Sequence, residues 1–423
     1  MRQELSCAIS CTALTRRKGG HVPRTQSVTV LSLHTSPLSQ PGQGDAGGLN
    51  VFVLNSSRAL ARAGYDVHIF TRWPEDRSHS PEPGLTVHGV PAGGATPLSK
   101  EELRAVVPDF ARRVQLHPDF NAAAPIHSHY WLSGEAARLL RRASGAPWIH
   151  TMHTTAARKA HHAGASEADM GRLAAETRIG AEADALTANT AADRRELVTD
   201  LGVAPGKVHV VSPGIDTEIF TPLGPAARWP VAAPGLRLLF AGRIQPYKGP
   251  QIALGAVAAL QRRGLEASLV LIGERSGMDA RDPEELARQA GIGDRVTALP
   301  AVPQAELASW YRAADLVLMP SRHETYGLVA AEALASGTPV VAHDVGGLST
   351  LIRDDVDGML VTSLDPERWA DALEPLVRQG HAPQQWEREA AKTGSARGWD
   401  ATARTLVALY SELSAAHSAP PAL

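Results

Sequence analysis

Short runs of aliphatic and branched residues recur along this chain. Each is followed by a longer stretch in which apolar residues return every three or four positions. The first pattern suits a strand buried on both faces, the second an amphipathic helix. Their alternation predicts open parallel sheets with helices on both sides, an α/β chain. In the first half, strands are expected at Val28–Leu33, Asp66–Thr71, Leu85–Val90, Pro125–His129, Trp148–Thr151, Ala185–Asn189 and Val208–Ser212. In the second half they are expected at Leu236–Ala241, Ser268–Ile272, Arg295–Leu299, Leu316–Met319 and Pro339–Ala342. A helix over Asn50–Arg62 follows the first strand, with Gly64 as its C-cap. Trp399 to Leu413 has the spacing of another amphipathic helix.

Between the halves, Pro213 to Leu236 carries Pro222, Pro225, Pro230 and Pro234 among alanines, a linker composition. The expected organisation is a first doubly wound domain over 27–213, a linker over 214–235 and a second domain over 236–395. A closing segment over 396–423 follows. Two such domains on one linker leave a cleft between the carboxyl ends of their sheets, where ligands bind in this architecture.

The 423 residues suffice for two or three domains, and the 43% of hydrophobic residues supply a large core. A formal net charge of -2 argues against nucleic acid or an anionic membrane as partner. No apolar run approaches the roughly 20 residues of a spanning helix. The only cysteines, Cys7 and Cys11, precede the folded body, which suits a reducing cytoplasm. Residues 1–26 read as a disordered extension, because Arg16, Arg17 and Lys18 follow the mildly apolar stretch instead of preceding it.

Three segments carry candidate chemistry. The first strand runs into Gly42, Gly44, Gly47 and Gly48, four glycines in seven residues at the start of a helix. Such a loop lets backbone approach a ligand, and the helix N-terminus favours phosphate. The second half opens with Arg243 and Lys248, five apart at a strand end. That pair suits a diphosphate, the guanidinium binding two oxygens and the ammonium acting as a point charge. Glu324 and Glu332 follow the run Leu316–Met319, one on a loop and one in the next helix, and two carboxylates suit the hydroxyl pairs of a sugar or ribose. The histidines at 127, 129, 150 and 153 lack the carboxylate or cysteine partners of a metal site. His153, just past a strand, is placed to hydrogen-bond a transferred sugar.

Together these segments carry a resemblance. The stretch His34 to Asn50, His127 to Gly134, His150 to Thr154, Phe240 to Lys248 and Glu324 to Val340 resemble the motifs of retaining GT-B glycosyltransferases of family 4. Within these they resemble the D-inositol 3-phosphate glycosyltransferases of mycothiol synthesis. The resemblance covers about residues 28 to 413. It implies two Rossmann-like domains and a last helix that crosses back to the first. The implied reaction moves N-acetylglucosamine from UDP-N-acetylglucosamine to 1D-myo-inositol 3-phosphate. It places donor contacts on Gln40, Pro41, Gly47, Gly48, Arg243, Lys248, Val302, Glu324 and Glu332, with His153, Arg243, Lys248 and Glu324 nearest the reaction. Acceptor contacts fall on His34, Asp45, Asn50, Lys100, Tyr130, Thr154 and Arg172, where Lys100 and Arg172 would cradle a phosphate. A structural magnesium site would fall on Tyr311, Arg312, Ala314 and Thr338, although the chemistry of this fold needs no cofactor. Partners are thus a UDP- or GDP-sugar and a small polar acceptor, and a homodimer is compatible with both.

Two stretches depart from the family. Thr155 to His162 replaces a lysine-rich run, and Gly273 to Met278 replaces a Gly-Pro-Ser-rich loop. They leave fold and reaction class intact and open the substrates to an alternative, a recruited relative in lincosamide-type antibiotic synthesis that joins a GDP-octose to the sulfur of ergothioneine. A non-catalytic sugar-nucleotide binder would not need Arg243, Lys248, Glu324 and Glu332 together. An NAD enzyme would need a GxGxxG loop and an acid after the second strand, where Phe70-Thr71-Arg72 stands instead.

Overall fold

The computed structural model describes residues 26–40, 47–94, 96, 98–157, 167–230, 235–275 and 281–418. The expected extension lies outside them except for Gln26, which starts the first strand. The first sheet contains β1 (Gln26–Leu31), β2 (Tyr65–Arg72), β3 (Arg77–Glu82), β4 (Leu85–Val90), β5 (Ile126–His129), β6 (Trp148–Thr151), β7 (Ala185–Ala188) and β8 (Val208–Val210). Its order is β3-β4-β2-β1-β5-β6-β7-β8, parallel except for β3 against β4. The second sheet contains β9 (Leu236–Ala241), β10 (Ala267–Ile272), β11 (Val296–Leu299), β12 (Leu316–Met319), β13 (Val340–His343) and β14 (Gly358–Val361). Its order is β11-β10-β9-β12-β13-β14, all parallel.

The order matters for function. In each sheet the chain winds outward in one direction, returns and winds in the other. The reversal falls between β1 and β5 in the first sheet and between β9 and β12 in the second. Flanking helices diverge at such a point and open a crevice beyond the strand ends. The residues following β1, β5, β9 and β12 are therefore the ones the topology presents to a ligand.

Most predicted strands sit within a residue or two of their expected bounds, because strands with helices on both faces must be apolar throughout. Two were not foreseen. Arg77–Glu82 is polar and exposed along most of its length and becomes a strand by antiparallel pairing with β4 through the turn at Gly84. Gly358–Val361 is a four-residue edge strand.

The expected linker is packed rather than free. Arg312 donates to the carbonyls of Pro225 and Thr221, and the Trp229 indole donates to Ser268 Oγ at 2.8 Å. Beside it the chain returns to the first sheet, with Ile215 N bonded to Arg397 O at 2.8 Å. The helix Trp399–Ser418 then lies on Gly48–Arg62. Trp399, Leu406, Leu409 and Tyr410 share a core with Val28, Phe52 and Ile149. The Tyr410 hydroxyl meets His127 Nδ1 at 2.6 Å, so the last helix is tied into the sheet beneath the cleft. Among the described residues no helix is long and apolar enough to cross a membrane.

Candidate active site

The second sheet supplies an electrostatic group at its reversal point. Arg243, half-buried just after β9, has no ion-pair partner among the described residues. Lys248 follows in a short 3-10 turn, and its ammonium lies 2.5 Å from Glu324 Oε2 on the loop after β12. The two expected diphosphate cations thus differ: among the described residues one has no ion-pair partner, while the other already holds a carboxylate. A ligand phosphate would share or displace that pairing.

The backbone beneath Glu324 is clamped. Gly347 N donates to Glu324 O at 2.9 Å. Gly346 lies at φ +53, and a Cβ there would stand 2.0 Å from the same carbonyl. Glycine is required at this position because it brings two backbones into contact.

Glu332, in the second turn of the helix Leu328–Ala335, is set deeper than Glu324. It is buried, and Tyr311 donates its hydroxyl to Oε2 at 3.1 Å. Burial pushes its carboxyl up to about 8 and raises the Tyr311 phenol. Glu332 is therefore largely neutral at pH 7. Its raised value makes the fold lose stability as pH rises from the unfolded value near 4.5 through about 8, where the unfolded chain releases the proton and the native one keeps it. Glu332→Gln is expected to flatten that slope, worth up to about 1.4 kcal/mol per pH unit. Melting curves of both proteins between pH 5 and 9, in roughly one-unit steps, test this; parallel curves would refute it.

The proposed magnesium residues meet at the far side of Tyr311. Its carbonyl accepts from Thr338 Oγ1 at 2.7 Å and from Ala314 N at 3.1 Å, and the Arg312 guanidinium is committed to the linker. None of the four is a carboxylate, and that carbonyl is already doubly bonded to donors. The set does not fit a magnesium ion, which takes carboxylate or phosphate oxygens in a strict octahedron.

The first sheet brings together a different group. The His34 ring stacks on Tyr130 at 4.9 Å, and the Arg172 guanidinium lies over the same Tyr130 ring, 4.9 Å from its centroid. Arg172 Nε reaches Glu176 Oε1 at 2.6 Å, while Nη2 donates to Thr154 O at 2.7 Å and Thr154 Oγ1 at 3.0 Å. His34, Tyr130, Thr154 and Arg172 are therefore contiguous, as the resemblance implied. Arg172 is not a free cation, however: Glu176 neutralises it, leaving Nη1 as the nitrogen turned to other uses.

Asn50 departs further. It is buried, and its amide group bonds Gly47 N, Thr35 Oγ1 and Ser36 O at 3.0, 2.9 and 2.7 Å. These bonds fix the loop after β1 to the helix N-terminus, a structural role that leaves little for an acceptor. Lys100 begins the helix Lys100–Gln115, and its side chain is outside the described atoms. Pro41 and Asp45 also lie outside the described residues, as do Arg158 to His162 and Ser276 to Met278 from the two departing stretches.

The two halves meet over these groups. Thr325 Oγ1 donates to His153 O at 3.4 Å, and Gln40 Nε2 to Ala301 O at 3.4 Å beside Val302. Gly48, at the start of its helix, faces Leu328 at the start of the helix bearing Glu332. His153 sits at φ +60 in a three-residue turn closed by Thr154 N to Met152 O at 2.7 Å. Tyr130 is also at positive φ, 71°. Such backbone costs about 1–3 kcal/mol per residue and persists where the surroundings over-determine it. His153 Nε2 bonds His129 Nδ1 at 3.0 Å, and burial pushes His153 down to about 3, so it is a neutral hydrogen-bonding group. His127 and His150 are likewise held by Tyr410, Thr151 and Ser128.

One residue escaped sequence reasoning. Asn189 follows β7 and lines the cavity formed by His153, Thr154 and Thr325. Its Oδ1 is buried with no hydrogen-bond partner among the described residues. An orphaned acceptor in a ligand cleft is unusual enough to point to a bound donor. Its only sequence signal is position at a strand's carboxyl end.

Comparison with known proteins agrees with this fold. The family described as Glycosyltransferase Family 4 matches residues 46–219, and that described as Glycosyl transferases group 1 matches residues 230–393. The D-inositol 3-phosphate glycosyltransferase of Xylanimonas cellulosilytica is 41% identical over 413 residues, covering 92% of this chain and 97% of that protein. The sucrose-phosphate synthase of Thermosynechococcus elongatus superposes with a TM-score of 0.80 at 29% identity, over 92% of this chain and 100% of that one. Anabaena HepE, solved with UDP and glucose, shares the fold at a TM-score of 0.68 and 17% identity, over 91% of this chain and 99% of that one.

Proposed function

This chain belongs to the family of GT-B glycosyltransferases that includes the D-inositol 3-phosphate glycosyltransferases, and from that premise we propose its substrates and the roles of its residues. It is a sugar-transferring enzyme. The donor is UDP-N-acetylglucosamine and the acceptor 1D-myo-inositol 3-phosphate, the first step of mycothiol synthesis. The observation that carries this reading is the convergence of Arg243 and the Lys248–Glu324 pair with the stacked His34–Tyr130–Arg172 group, each at a sheet reversal point and joined by Thr325 and His153.

In this reading Arg243 and Lys248 bind the diphosphate, and the helix start at Gly47 and Gly48 adds its N–H groups. Glu332 takes the ribose hydroxyls, Gln40 and the Val302 backbone border the base, and Glu324 faces the donor sugar. His153 hydrogen-bonds that sugar as a neutral imidazole. Transfer retains configuration: the anomeric carbon's bond to the diphosphate oxygen breaks, and a bond to the acceptor hydroxyl forms on the same face. The departing phosphate oxygen takes the acceptor's proton, yielding the glycoside and UDP. Arg243 stabilises the charge that grows on the diphosphate. Closure of the two domains would exclude water.

The acceptor phosphate is assigned to Lys100 and the remaining Nη1 of Arg172, with Tyr130 and Thr154 giving neutral hydrogen bonds. Replacing Lys100 by Ala is expected to raise the acceptor KM about tenfold or more, for a charged hydrogen bond of roughly 1.5–3 kcal/mol, and to leave the donor KM unchanged. Mass-spectrometric assay of UDP- and GDP-sugars against inositol 3-phosphate, inositol and ergothioneine decides the substrates. Indifference to the phosphate, with turnover of the thione, would overturn the acceptor and keep the glycosyltransferase.

A further inference from the structure

A second cluster of chemistry-bearing side chains lies on the first sheet, apart from every residue assigned to donor or acceptor. His68 on β2 and His88 on β4 occupy neighbouring strands paired through His68 with Thr86 and Phe70 with His88. Their rings are nearly coplanar in orientation, and His68 Nδ1 lies 3.0 Å from His88 Nε2. The outer nitrogen of each ring is engaged as well. His68 Nε2 lies 3.3 Å from Asp66 Oδ2, and His88 Nδ1 lies 2.8 Å from Ser78 Oγ.

The proton count makes this arrangement informative. An ionised carboxylate only accepts, so Asp66 holds the His68 proton on Nε2 and leaves a lone pair on Nδ1. The Ser78 hydroxyl can give or take. When it gives, His88 carries its proton on Nε2 and donates it to His68. When it takes, His88 also turns a lone pair inward, and two imidazole lone pairs face each other across 3.0 Å. That second state is repulsive by itself and suits a cation. Rotation of one hydroxyl, with a shift of the His88 proton between ring nitrogens, separates the two.

A third ligand stands beside them. One ligand atom each from His68, His88 and Asp119 lies within 4.8 Å of the others. Asp119 follows the helix Lys100–Gln115, and its half-exposed carboxylate gives an ion a way in, whereas His88 is fully buried. His117, tilted on His88 at 4.5 Å, accepts Asp119 N–H on Nδ1 at 3.2 Å and so holds that loop against the pair.

We infer that His68, His88 and Asp119 form a binding site for a divalent transition ion of the zinc type, with Asp66 and Ser78 orienting the two imidazoles. Zinc–nitrogen bonds of about 2.0–2.1 Å set two tetrahedral ligands about 3.3 Å apart, so the two nitrogens part by a few tenths of an ångström while the rings, now facing end to end, turn to converge on the ion. The carboxylate–histidine pairing of Asp66 and His68 is the usual outer shell of such a ligand. A filled site clips β2 and β4 to the loop after Lys100–Gln115 and serves stability, not transfer.

The test uses the full chain stripped of metal and titrated with zinc chloride alone, by calorimetry and by melting. One saturable equivalent and a raised Tm are expected. Asp119→Asn and His68→Asn should each weaken the zinc Kd at least about tenfold and abolish most of the Tm rise, and Asp66→Asn should weaken it about tenfold while leaving the ligands in place. Cobalt loading should give the intense visible bands of a tetrahedral ion, lost in Asp119→Asn. Since Asp119 is exposed, that variant should fold and turn over substrate normally. Absence of saturable binding, or unchanged affinity and cobalt spectrum in the variants, would overturn the site and place any bound ion on other histidines.

Discussion

Arg243→Ala should lower kcat/KM for the nucleotide-sugar donor about a hundredfold, with the melting temperature nearly unchanged. The side chain has no ion-pair partner among the described residues, so its removal strands no opposite charge in the native protein. What is lost is a guanidinium facing a diphosphate whose charge grows as the bond to the sugar breaks. Removing one preorganised donor of that kind costs about 2.7–4 kcal/mol where it has been measured. Because the interaction strengthens toward the transition state, kcat should fall along with kcat/KM. Lys248→Ala should differ, because it leaves Glu324, which is mostly buried, without its counter-charge at 2.5 Å. That variant should lose stability as well as turnover, and Glu324→Gln combined with it should restore part of the stability but none of the activity. Steady-state kinetics and denaturant titration of the three proteins check this. Wild-type turnover in Arg243→Ala would remove Arg243 from the site.

Gly346→Ala should be comparably damaging without touching any ligand. Its Cβ would lie 2.0 Å from the Glu324 carbonyl at a backbone angle of φ +53, so both backbones must move. Conformational strain alone is worth about 1–3 kcal/mol. The shift falls on the residue paired with Lys248 and next to Thr325, which bridges to His153. A displacement of about 1 Å in such a group can cost a hundredfold in rate. Gly64→Ala is the control, since Gly64 is also at positive φ, 96°, but meets nothing within 4 Å. It should lose stability and keep its activity. Equal, small effects of both changes on turnover would show that the Gly346 clamp does not position Glu324.

Much of this protein was legible in its residue pattern, and the reason is local. Strands such as Leu236–Ala241 and Leu316–Met319 are covered on both faces and must be apolar at every position, so their bounds follow from composition. Gly48, Arg243, Lys248 and Glu324 could be singled out because residues at strand ends in this architecture face a ligand, whereas Tyr130 entered only through the family resemblance. The two-domain division followed from the proline-rich stretch between two strand series. Arg77–Glu82 was not legible, since only its partner β4 makes it a strand.

What the tertiary structure decided are the pairings between distant residues, which no local pattern encodes. Lys248 and Glu324 are 76 positions apart and become one ion pair because β9 and β12 are neighbours. Tyr311 and Glu332 come from successive helices, and their burial together turns an expected anion into a group that holds its proton to about pH 8. Asn50 looked like an acceptor contact and is consumed in fixing a loop, while Asn189 looked like the end of a strand and keeps an unused acceptor in the cleft. Charge state and availability depend on desolvation and on which partner arrives first, and both are set by the packing of segments far apart in the chain.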